Sequence, residues 1–436
     1  MANTYLKRSL GTATSNKKGT WSFWVKKSSI GAGMLVGNEV SNDNNRGYIQ
    51  FNSSDKLRII DNDDSGDNCQ MITTQVFRDV NAWYHFVFAF DTTQSTASDR
   101  IKWYVNGEQI TAFDTASYPA QNIDLKIFEG GQTNKYHIGS LNNSGSGSNF
   151  FNGCMSHVHF SDGQQLAPTV FGSTDSTTGE WKINTSPSFT LGNNGFTILK
   201  DGNTITDQSS NSNNFTLGGG TLTKTESNPS NVFATMNPLN VPTSNPPTFS
   251  NGNTTTVSST NGSARFGGSS TLGMVSGKFY IEAKATVDSQ YSRNVIGISG
   301  DANTLARNNA SFFGSDQESS GWYSENGVIN YNNSAQYTAA TYTTGDIIQI
   351  AIDLDNNRLF YGKNGTWQNS GNPTTSTGAI TLNGASACND GAYFICQADD
   401  TGTSAVSKFE FNFGNGYFGT TAVSSAGTNA SNIGIF

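Results

Sequence analysis

The chain has 436 residues, with 25 lysines and arginines against 33 aspartates and glutamates, so its formal net charge is −8. An acidic chain offers no basic surface for nucleic-acid phosphates, and we therefore expect no nucleic-acid partner. Aromatic residues make up 11% of the chain, which argues against intrinsic disorder. No run approaches about 18 apolar residues, so we expect no membrane span. At about 150 residues per domain, the length indicates two or three domains.

The amino terminus and the cysteines point to no secretory or redox role. The Lys7-Arg8 pair is not followed by the apolar stretch of a secretory signal peptide. Four cysteines are too few for a disulfide scaffold at this length. We expect free, buried thiols, although the sequence alone leaves all pairings open. The four are Cys69, Cys154, Cys388 and Cys396.

Period-two alternation bounded by Asn-Gly turns runs along the first half and predicts antiparallel strands. The run Trp83–Phe90 is apolar on both faces, which indicates a central strand. Ile101–Val105 and Glu108–Ile110 flank Asn106-Gly107, and both turn residues tolerate the positive φ of a two-residue type I′ turn. We therefore expect a tight hairpin. The same dipeptide recurs at Asn326-Gly327 and Asn364-Gly365.

The second half has the same alternation, and no stretch shows the apolar stripe of a helix. The sequence therefore predicts an all-β chain. Apolar residues occupy every second position in three runs, which are Phe279, Ile281 and Ala283; Ile348, Ile350, Ile352 and Leu354; and Phe409, Phe411 and Phe413.

A proline-rich segment divides the chain. Four of the 9 prolines lie within Asn237–Pro247, which favours an extended connector over a strand. We therefore predict a first domain over residues 1–235, a linker over 236–250 and a second domain over 251–436. Proteolysis near Pro242–Pro247 should then release two stable fragments.

The first half contains motifs of a known sandwich module. Asn81–Asp91, followed by Lys102–Gly107, resembles the core of the laminin-G-like (concanavalin A-like) jelly roll. Phe151–Phe160, with Asp162–Pro168 after it, is similar to the closing strand and tail of that module. The resemblance covers about residues 1–220 and implies an antiparallel sandwich.

The second half resembles a different sandwich. Gly277–Glu282 and Val295–Ile298 are similar to strands of the SPRY domain, and Gly321–Tyr323 and Asp353–Gly365 extend the match. The resemblance covers about residues 250–420 and implies a bent two-sheet sandwich that binds partners through its loops. Together the two resemblances imply an all-β protein of two concanavalin-like antiparallel β-sandwiches (jelly rolls) joined by a proline-rich linker.

A laminin-G-like module joined to a SPRY module in an Asn-, Thr- and Gly-rich chain resembles virion structural proteins of marine tailed bacteriophages. The resemblance implies a protein assembled in the host cytoplasm and exposed on the virion. There it would contact other virion proteins and, as a tail appendage, a host-surface polysaccharide or protein. The alternative is a capsid decoration protein that stabilises the particle without glycan specificity. A homotrimer is an expectation from phage symmetry alone.

Catalytic constellations have little support, and we expect a protein that is not an enzyme. A retaining glycoside hydrolase needs two carboxyl groups about 5.5 Å apart, which on one strand requires acids at i and i+2 or i+4. Asp353 and Asp355 have this spacing but lie where a strand enters a hairpin, and Glu282 has no such partner. A glycan depolymerase is therefore a disfavoured third function.

Histidines offer a possible metal pattern with a simpler interpretation. His157 and His159 flank Val158 and face one side of a strand, as zinc ligands can. No third ligand lies nearby in the sequence, so two stacked surface histidines are favoured. His85, inside the apolar run, is interpreted as a hydrogen-bonded core histidine.

The acidic stretch Asp61–Asp67 raises a calcium hypothesis. It matches the first positions of a calcium-binding loop, but Ile72 stands where the bidentate glutamate belongs. We favour an acidic, solvated hairpin loop, and we expect no metal site and no cofactor.

Aromatic residues on predicted loops of the SPRY-like half are the binding candidates. Tryptophan and tyrosine offer a large stacking area with a polar handle and are enriched at binding hot spots. Trp322 and Tyr323 have a competing interpretation as caps of the core, whereas Trp367 follows a predicted type I′ turn and is expected to be exposed. The full set is Trp322, Tyr323, Tyr331, Asn364 and Trp367.

Overall fold

The computed structural model describes residues 3–39, 44–131, 133, 136–143, 145–200, 202, 204–243, 246–258, 266–288, 294–301, 313–399, 407–424, 426–429 and 432–436. The chain divides into two compact units. The first comprises Met1–Lys224 and Asn228–Val232, and the second comprises Thr225–Ser227 and Phe233–Phe436.

The regular secondary structure of the described residues is almost entirely β, which confirms the predicted fold class. The helical elements among them are the four-residue helix α1 (Ala97–Arg100) and the 3₁₀ turns Lys126–Phe128, Pro168–Val170 and Ala385–Ala387. Within the part of the chain that the structure describes, no helix has the length and apolar character needed to cross a bilayer.

The strands of the first unit are numbered in chain order. They are β1 (Tyr5–Arg8), β2 (Lys18–Lys27), β3 (Gly33–Glu39), β4 (Arg46–Phe51), β5 (Lys56–Asp63), β6 (Gly66–Val76), β7 (Trp83–Asp91), β8 (Ile101–Val105), β9 (Glu108–Ile110), β10 (Phe113–Ser117), β11 (Tyr136–Ile138), β12 (Leu141–Asn143), β13 (Ser146–Ser148), β14 (Gly153–Asp162), β15 (Gly172–Thr174), β16 (Trp181–Ile183), β17 (Phe196–Ile198) and β18 (Thr216–Gly219).

The first unit is a sandwich of two antiparallel sheets. Over its described residues, one sheet has the order β10-β6-β5-β4-β3-β11-β1-β18 and the other has the order β17-β14-β2-β7-β8-β9. Because side chains alternate between the two faces of a strand, Trp21 of β2 points inward and stacks on Tyr136 of β11, with ring centroids 5.4 Å apart. The buried strand β7 lies between β2 and β8, which confirms the central strand predicted for Trp83–Phe90.

The second unit has the remaining strands. They are β19 (Thr248–Ser250), β20 (Thr255–Val257), β21 (Phe266–Ser269), β22 (Lys278–Asp288), β23 (Asn294–Ser299), β24 (Ser319–Tyr323), β25 (Val328–Tyr331), β26 (Ser334–Thr338), β27 (Ile347–Asp353), β28 (Arg358–Lys363), β29 (Thr366–Trp367), β30 (Ile380–Thr381), β31 (Phe394–Asp399), β32 (Ser407–Asn412), β33 (Tyr417–Phe418) and β34 (Thr421–Ala422).

The second unit is also a two-sheet sandwich. Over its described residues, one sheet has the order β19-β20-β32-β22-β27-β28-β29, with β30 added beside β28, and the other has the order β21-β31-β23-β24-β25-β26. Most of the alternating apolar residues noted in the sequence face inward, so that Ile281, Ile350 and Phe411 are buried in one core. Phe279, at the start of β22, is the exception and is exposed. The opposite face of the first of these sheets, which points away from the core, is called the outer face below.

The proline-rich segment predicted as a linker packs in part on the second unit. Met236 is fully buried in the second core, and its N–H donates to the carbonyl of Asn253 over 2.9 Å. The next N–H, that of Asn237, donates to the carbonyl of Ser269 over 2.8 Å. A cut at Pro242–Pro247 would separate Met236 from this core, so we expect a stable second fragment only from cleavage before Phe233.

Two of the predicted Asn-Gly turns are confirmed as two-residue hairpin turns. Both residues have positive φ in each case, at 47° and 84° for Asn106 and Gly107 and at 49° and 83° for Asn364 and Gly365. Such values are those of a type I′ turn, whose twist matches the strands it joins.

The predicted two-residue turn at Asn326-Gly327 is wrong. Only Gly327 has a positive φ there, at 70°, and four residues separate β24 from β25. The Gly327 N–H donates to the carbonyl of Tyr323 over 3.0 Å, and the Asn326 side chain accepts from the N–H of Val328 over 2.9 Å. This side-chain bond to the backbone replaces the tight turn.

Gly107 and Gly365 occupy the same position of two matched turns but have different surroundings. A Cβ at Gly365 would have no atom within 4 Å, whereas a Cβ at Gly107 would collide with the ring of Trp181. Gly365→Ala should therefore lower the free energy of unfolding by about 1 to 2 kcal/mol, the cost of left-handed backbone for an L residue. Gly107→Ala should lower it further because Trp181 must also move. Urea unfolding measures both, and equal losses would contradict this role of Trp181.

Candidate functional site

Three of the predicted binding residues are buried in the second unit, Trp322 and Tyr331 in its main core and Tyr323 in a separate apolar cluster with Phe313. Trp322 is fully buried, and its indole N–H donates to the carbonyl of Ala340 over 3.2 Å. The Tyr323 hydroxyl donates to the carbonyl of Phe313 over 2.9 Å. The buried Tyr331 hydroxyl accepts from the N–H of Asn383 over 2.8 Å. The expectation that they line a surface is corrected, because all three belong to strands whose side chains are covered.

The other two candidates, Asn364 and Trp367, lie on the hairpin that joins β28 to β29. Asn364 is exposed at the turn, where its amide donates to Asp346 Oδ1 over 2.6 Å and its carbonyl oxygen accepts from the N–H of Ile347 over 2.8 Å. Trp367 is half-buried. Its ring meets those of Tyr280 and Phe360 edge to face, with centroids 6.3 and 6.4 Å apart.

Trp367 ends a row of residues that crosses the outer face of the second unit. Cα pairing runs from Asn412 to Glu282, from Glu282 to Gln349, from Gln349 to Gly362 and from Gly362 to Trp367. The strand neighbours of Asn412, Glu282 and Gln349 are core residues, so alternation turns these three side chains away from the core. Asn412 is nevertheless fully covered, whereas Glu282, Gln349 and Trp367 are half-buried. We call Asn412, Glu282, Gln349, Gly362 and Trp367 the outer row.

A chain of hydrogen bonds connects the turn to the centre of the outer row. The Gly365 N–H donates to Gln349 Oε1 over 2.7 Å, and Gln349 Nε2 donates to the Tyr280 hydroxyl over 2.9 Å. The Tyr280 hydroxyl donates to Glu282 Oε1 over 2.7 Å. The Tyr280 hydroxyl therefore lies between the amide of Gln349 and the carboxylate of Glu282. The Tyr280 ring contacts the ring of Trp367 and, on the β32 side, the ring of Phe436, with the Tyr280 and Phe436 centroids 5.0 Å apart.

Partial burial changes the acid–base behaviour of this group of residues. Burial raises the pKa of Glu282, although the hydrogen bond from Tyr280 opposes the shift. Burial also raises the pKa of Tyr280, and the neighbouring carboxylate adds to that effect. The tyrosine is therefore a neutral donor at physiological pH. Glu282 accepts from both Tyr280 and Asn412, and its carboxylate, which can accept about four hydrogen bonds, keeps further capacity.

Gly362 allows the tryptophan to lie on the sheet. A Cβ at this position would come within 3.1 Å of the Trp367 ring and 3.0 Å of Gln349 Oε1. The glycine therefore provides the space in which the indole and the amide approach each other. Sequence reasoning did not find Tyr280, Glu282 or Gln349 as site residues, although their polar positions within alternating runs were a usable signal.

The histidine interpreted as a core residue is fully hydrogen-bonded, which confirms that interpretation. Trp181 Nε1 donates to His85 Nδ1 over 3.0 Å, and His85 Nε2 lies 2.9 Å from Ser22 Oγ. Because an indole nitrogen can only donate, Nδ1 accepts and Nε2 holds the proton. Ser22 and His85 are thus not arranged as a nucleophile and its base, since Nε2 has no lone pair for the serine proton.

His157 and His159 are buried, which corrects the expectation of stacked surface histidines. Their rings lie 6.3 Å apart, and His159 is held between Phe171 and Phe189, with centroid distances of 5.6 and 5.9 Å. His157 occupies a bulge in β14, with φ of 48°. The segment that covers them follows β14 in the chain, and no local pattern announced it.

Comparison with known protein families identifies both units. Residues 2–171 match the model of the concanavalin A-like lectin/glucanases superfamily, and residues 278–378 match that of the SPRY domain. The chain therefore carries a concanavalin A-like domain followed by a SPRY domain. A search of curated proteins finds no match.

Similar solved structures include the SPRY domain of human HERC1, at 15% identity, 40% coverage of this chain and 96% of that chain, with a TM-score of 0.30. A heptameric SAP-like pentraxin from Limulus polyphemus matches at 16% identity, with 38% and 71% coverage and a TM-score of 0.29. A candidate carbohydrate binding protein from Bacteroides ovatus matches at 15% identity, with 51% and 58% coverage and a TM-score of 0.36. At these values the likenesses carry no argument about function.

The acidic stretch of the concanavalin A-like domain forms a hairpin between β5 and β6. Asp61 is buried rather than solvated, so the expected acidic loop is corrected at this residue. Its two carboxylate oxygens accept from the Asn68 side chain over 3.0 Å and from the N–H of Ile127 over 2.9 Å. Burial raises the pKa of Asp61 to about 6. These internal bonds use both carboxylate oxygens of Asp61, the first of the ligands that the calcium hypothesis assigned to an ion.

Asp353 and Asp355, the acids of the SPRY domain with the spacing of a hydrolase pair, accept hydrogen bonds that hold a turn. Asp353 accepts from the N–H and the side chain of Asn356 over 3.1 and 2.9 Å, and Asp355 accepts from the N–H of Gly277 over 2.8 Å. Among the residues that the structure describes, no group of three or more His, Cys, Asp or Glu is placed to hold a metal ion. The four cysteines are not disulfide-bonded, and three are buried.

The buried histidines of the concanavalin A-like domain should make it acid-sensitive. Burial, with the nearby His157, lowers the pKa of both His85 and His159 to about 3, whereas an unfolded histidine titrates near about 6.5. Between these values the unfolded chain binds more protons, so stability falls as pH falls, by about 1.4 kcal/mol per pH unit for each histidine. The raised pKa of Asp61 makes the folded chain bind more protons below about pH 6. Its contribution to the slope therefore offsets that of about one of the two histidines.

Urea unfolding at pH 7 and pH 5, followed by tryptophan fluorescence, measures this slope. Five of the 7 tryptophans lie in the first unit. His85→Gln should reduce the loss of stability between pH 7 and pH 5 by about 2 kcal/mol, because the unfolded histidine titrates near about pH 6.5, within this range, whatever the effect of the substitution on stability at pH 7. An unchanged slope would contradict the neutral state of His85.

Proposed function

We propose that this protein is a non-catalytic binding protein of a tailed-phage virion, whose SPRY domain contacts a host-surface glycan or protein. The observation that carries the proposal is the position of Trp367. It is half-buried at the end of the outer row, whereas Trp322, Tyr323 and Tyr331 are buried. The phage origin is supported by the combination of the two domains in an Asn-, Thr- and Gly-rich chain.

The hairpin that presents Trp367 is rigid in the way that binding surfaces require. Its turn is fixed by the two positive φ angles. The side-chain amide of Asn364 donates to Asp346 and accepts from the N–H of Ile347. Gly365 is bonded to the sheet through Gln349. A side chain that is already held in one place loses less conformational entropy when a ligand binds.

The composition also suits recognition of a neutral surface. Only 13% of the residues are charged, where soluble domains have roughly 25%. Neutral amides and hydroxyls can bond to a glycan without the large desolvation cost of a charge. Capsid decoration remains the alternative, and it requires no ligand at the hairpin.

The virion assignment is tested by mass spectrometry of purified particles. We expect the chain among the structural proteins of the phage that encodes it. Its absence from intact particles, together with its presence in the lysate, would overturn both the tail-appendage function and capsid decoration.

The binding function is tested by Trp367→Ala, with Val275→Ala as the control. Val275 is 62% exposed in the same unit, so both variants remove a partly exposed apolar side chain. Loss of a hot-spot tryptophan costs about 2 kcal/mol or more in binding, so Trp367→Ala should weaken adsorption of the purified protein to host cells about 30-fold. Val275→Ala should adsorb like the parent protein.

Melting temperatures separate binding from folding. Trp367→Phe, which retains an aromatic contact with Phe360, is included in case the alanine variant does not fold. Adsorption per folded molecule that is unchanged in both tryptophan variants would contradict the proposed site.

A further inference from the structure

We propose that the outer row of the SPRY domain is a carbohydrate subsite for a neutral pyranose, which stacks on Trp367 and is hydrogen-bonded by Glu282 and Gln349. This inference rests on the binding function proposed above and names the chemistry of its ligand. The row lies on a sheet face, whereas the earlier expectation placed binding on loops. Its three essential groups come from β22, β27 and β29.

The first step is the pairing of an aromatic ring with polar groups beside it. A sugar ring has an apolar face and a hydroxyl rim, so it needs a flat apolar surface next to hydrogen-bonding side chains. Trp367 supplies the surface, and Tyr280 meets its ring edge to face at 6.3 Å. Gly362 has no side chain, so nothing at that position fills the space between the indole and Gln349.

The second step is the complementarity of the donor and the acceptor. Glu282 and Gln349 are direct cross-strand partners, so their Cβ atoms lie about 5 Å apart. Tyr280 uses one oxygen of the carboxylate and one proton of the amide. Asn412 bonds the carboxylate as well, but a carboxylate can accept about four hydrogen bonds, so by inventory the carboxylate and one amide proton retain capacity. An acceptor beside a donor matches two adjacent hydroxyls of a sugar, each of which can donate and accept.

The third step is the charge of the face, which favours a neutral ligand. Lys284 follows Glu282 on the same side of β22, and its cross-strand partner is Glu410. Glu410 in turn pairs with Lys408 over 3.1 Å. Glu410 therefore opposes both cations within the same sheet. Among the residues that the structure describes, the hydrogen-bond partners of Glu282 are Tyr280 and Asn412, and both are neutral. An anionic sugar would meet the Glu282 carboxylate without a matching cation.

The fourth step is the prior positioning of the polar pair. The bond from Gly365 fixes Gln349, Gln349 fixes the Tyr280 hydroxyl, and that hydroxyl fixes Glu282. The three side chains are therefore ordered before a ligand arrives, which lowers the entropic cost of binding. Glu282 and Gln349 touch the ligand in this arrangement, and Tyr280 is a positioning residue.

The experiment measures binding of defined oligosaccharides to the full chain by isothermal titration calorimetry. The neutral probes are maltohexaose, cellohexaose and mannohexaose, and the anionic probes are alginate and heparin oligosaccharides. We expect at least one neutral probe to bind and the anionic probes to bind at least 10-fold more weakly. Tighter binding of the anionic probes, or no binding of any neutral probe, would overturn the inference.

The variants Glu282→Gln, Gln349→Leu and Trp367→Ala should each weaken the neutral probe at least 10-fold, while Val275→Ala should not. Glu282→Gln preserves the size of the side chain, and a parental melting temperature shows that it folds. If Trp367→Ala abolishes adsorption to cells but Glu282→Gln adsorbs normally, the binding function stands and the pyranose subsite is excluded. If neither variant changes adsorption or sugar binding, both proposals fail.

Discussion

Each sheet of this protein must bury one face, and that constraint determines what its other face can do. Side chains alternate along every strand, so the inner faces are filled by stacked aromatics such as Trp21 and Tyr136 in the first unit and by branched residues such as Ile350 in the second. The polar residues at the intervening positions are left on the outer faces. There they are either covered by later parts of the chain or available to a partner.

The outer faces of the two units are covered to different extents, and this coverage determines the chemistry of their polar residues. In the concanavalin A-like domain, the hairpin of β15 and β16 brings Trp181 onto His85, which is then neutral, fully bonded and sealed from water. In the SPRY domain, the hairpin of β28 and β29 covers its sheet only in part. Glu282 and Gln349 are consequently ordered by bonds to their neighbours while they keep contact with solvent. The covered arrangement stabilises the fold, whereas the partly exposed arrangement leaves polar groups that can bind a ligand.

Local patterns predicted the fold well because strands and tight turns are encoded over few residues. Alternation predicted the buried strand β7, and Asn-Gly predicted the turns at Asn106-Gly107 and Asn364-Gly365. The same dipeptide failed at Asn326, where a side-chain bond to the backbone of Val328 opened the turn. Burial was less predictable. Trp322 was expected on a loop, yet whether a side chain faces inward depends on where its strand begins and which strand it pairs with.

The candidate site was only half visible in the sequence for a similar reason. Trp367 could be found from the turn before it, but Glu282 and Gln349 are far apart in the chain and meet only through pairing of β22 with β27. A slip of that pairing by one residue would exchange the inner and outer faces of a strand and would move Glu282 into the core. The cost of burying an unpaired carboxylate excludes that arrangement. Glu282 therefore helps to fix the register that also places it beside Gln349, and the same polar residue supports the fold and the site.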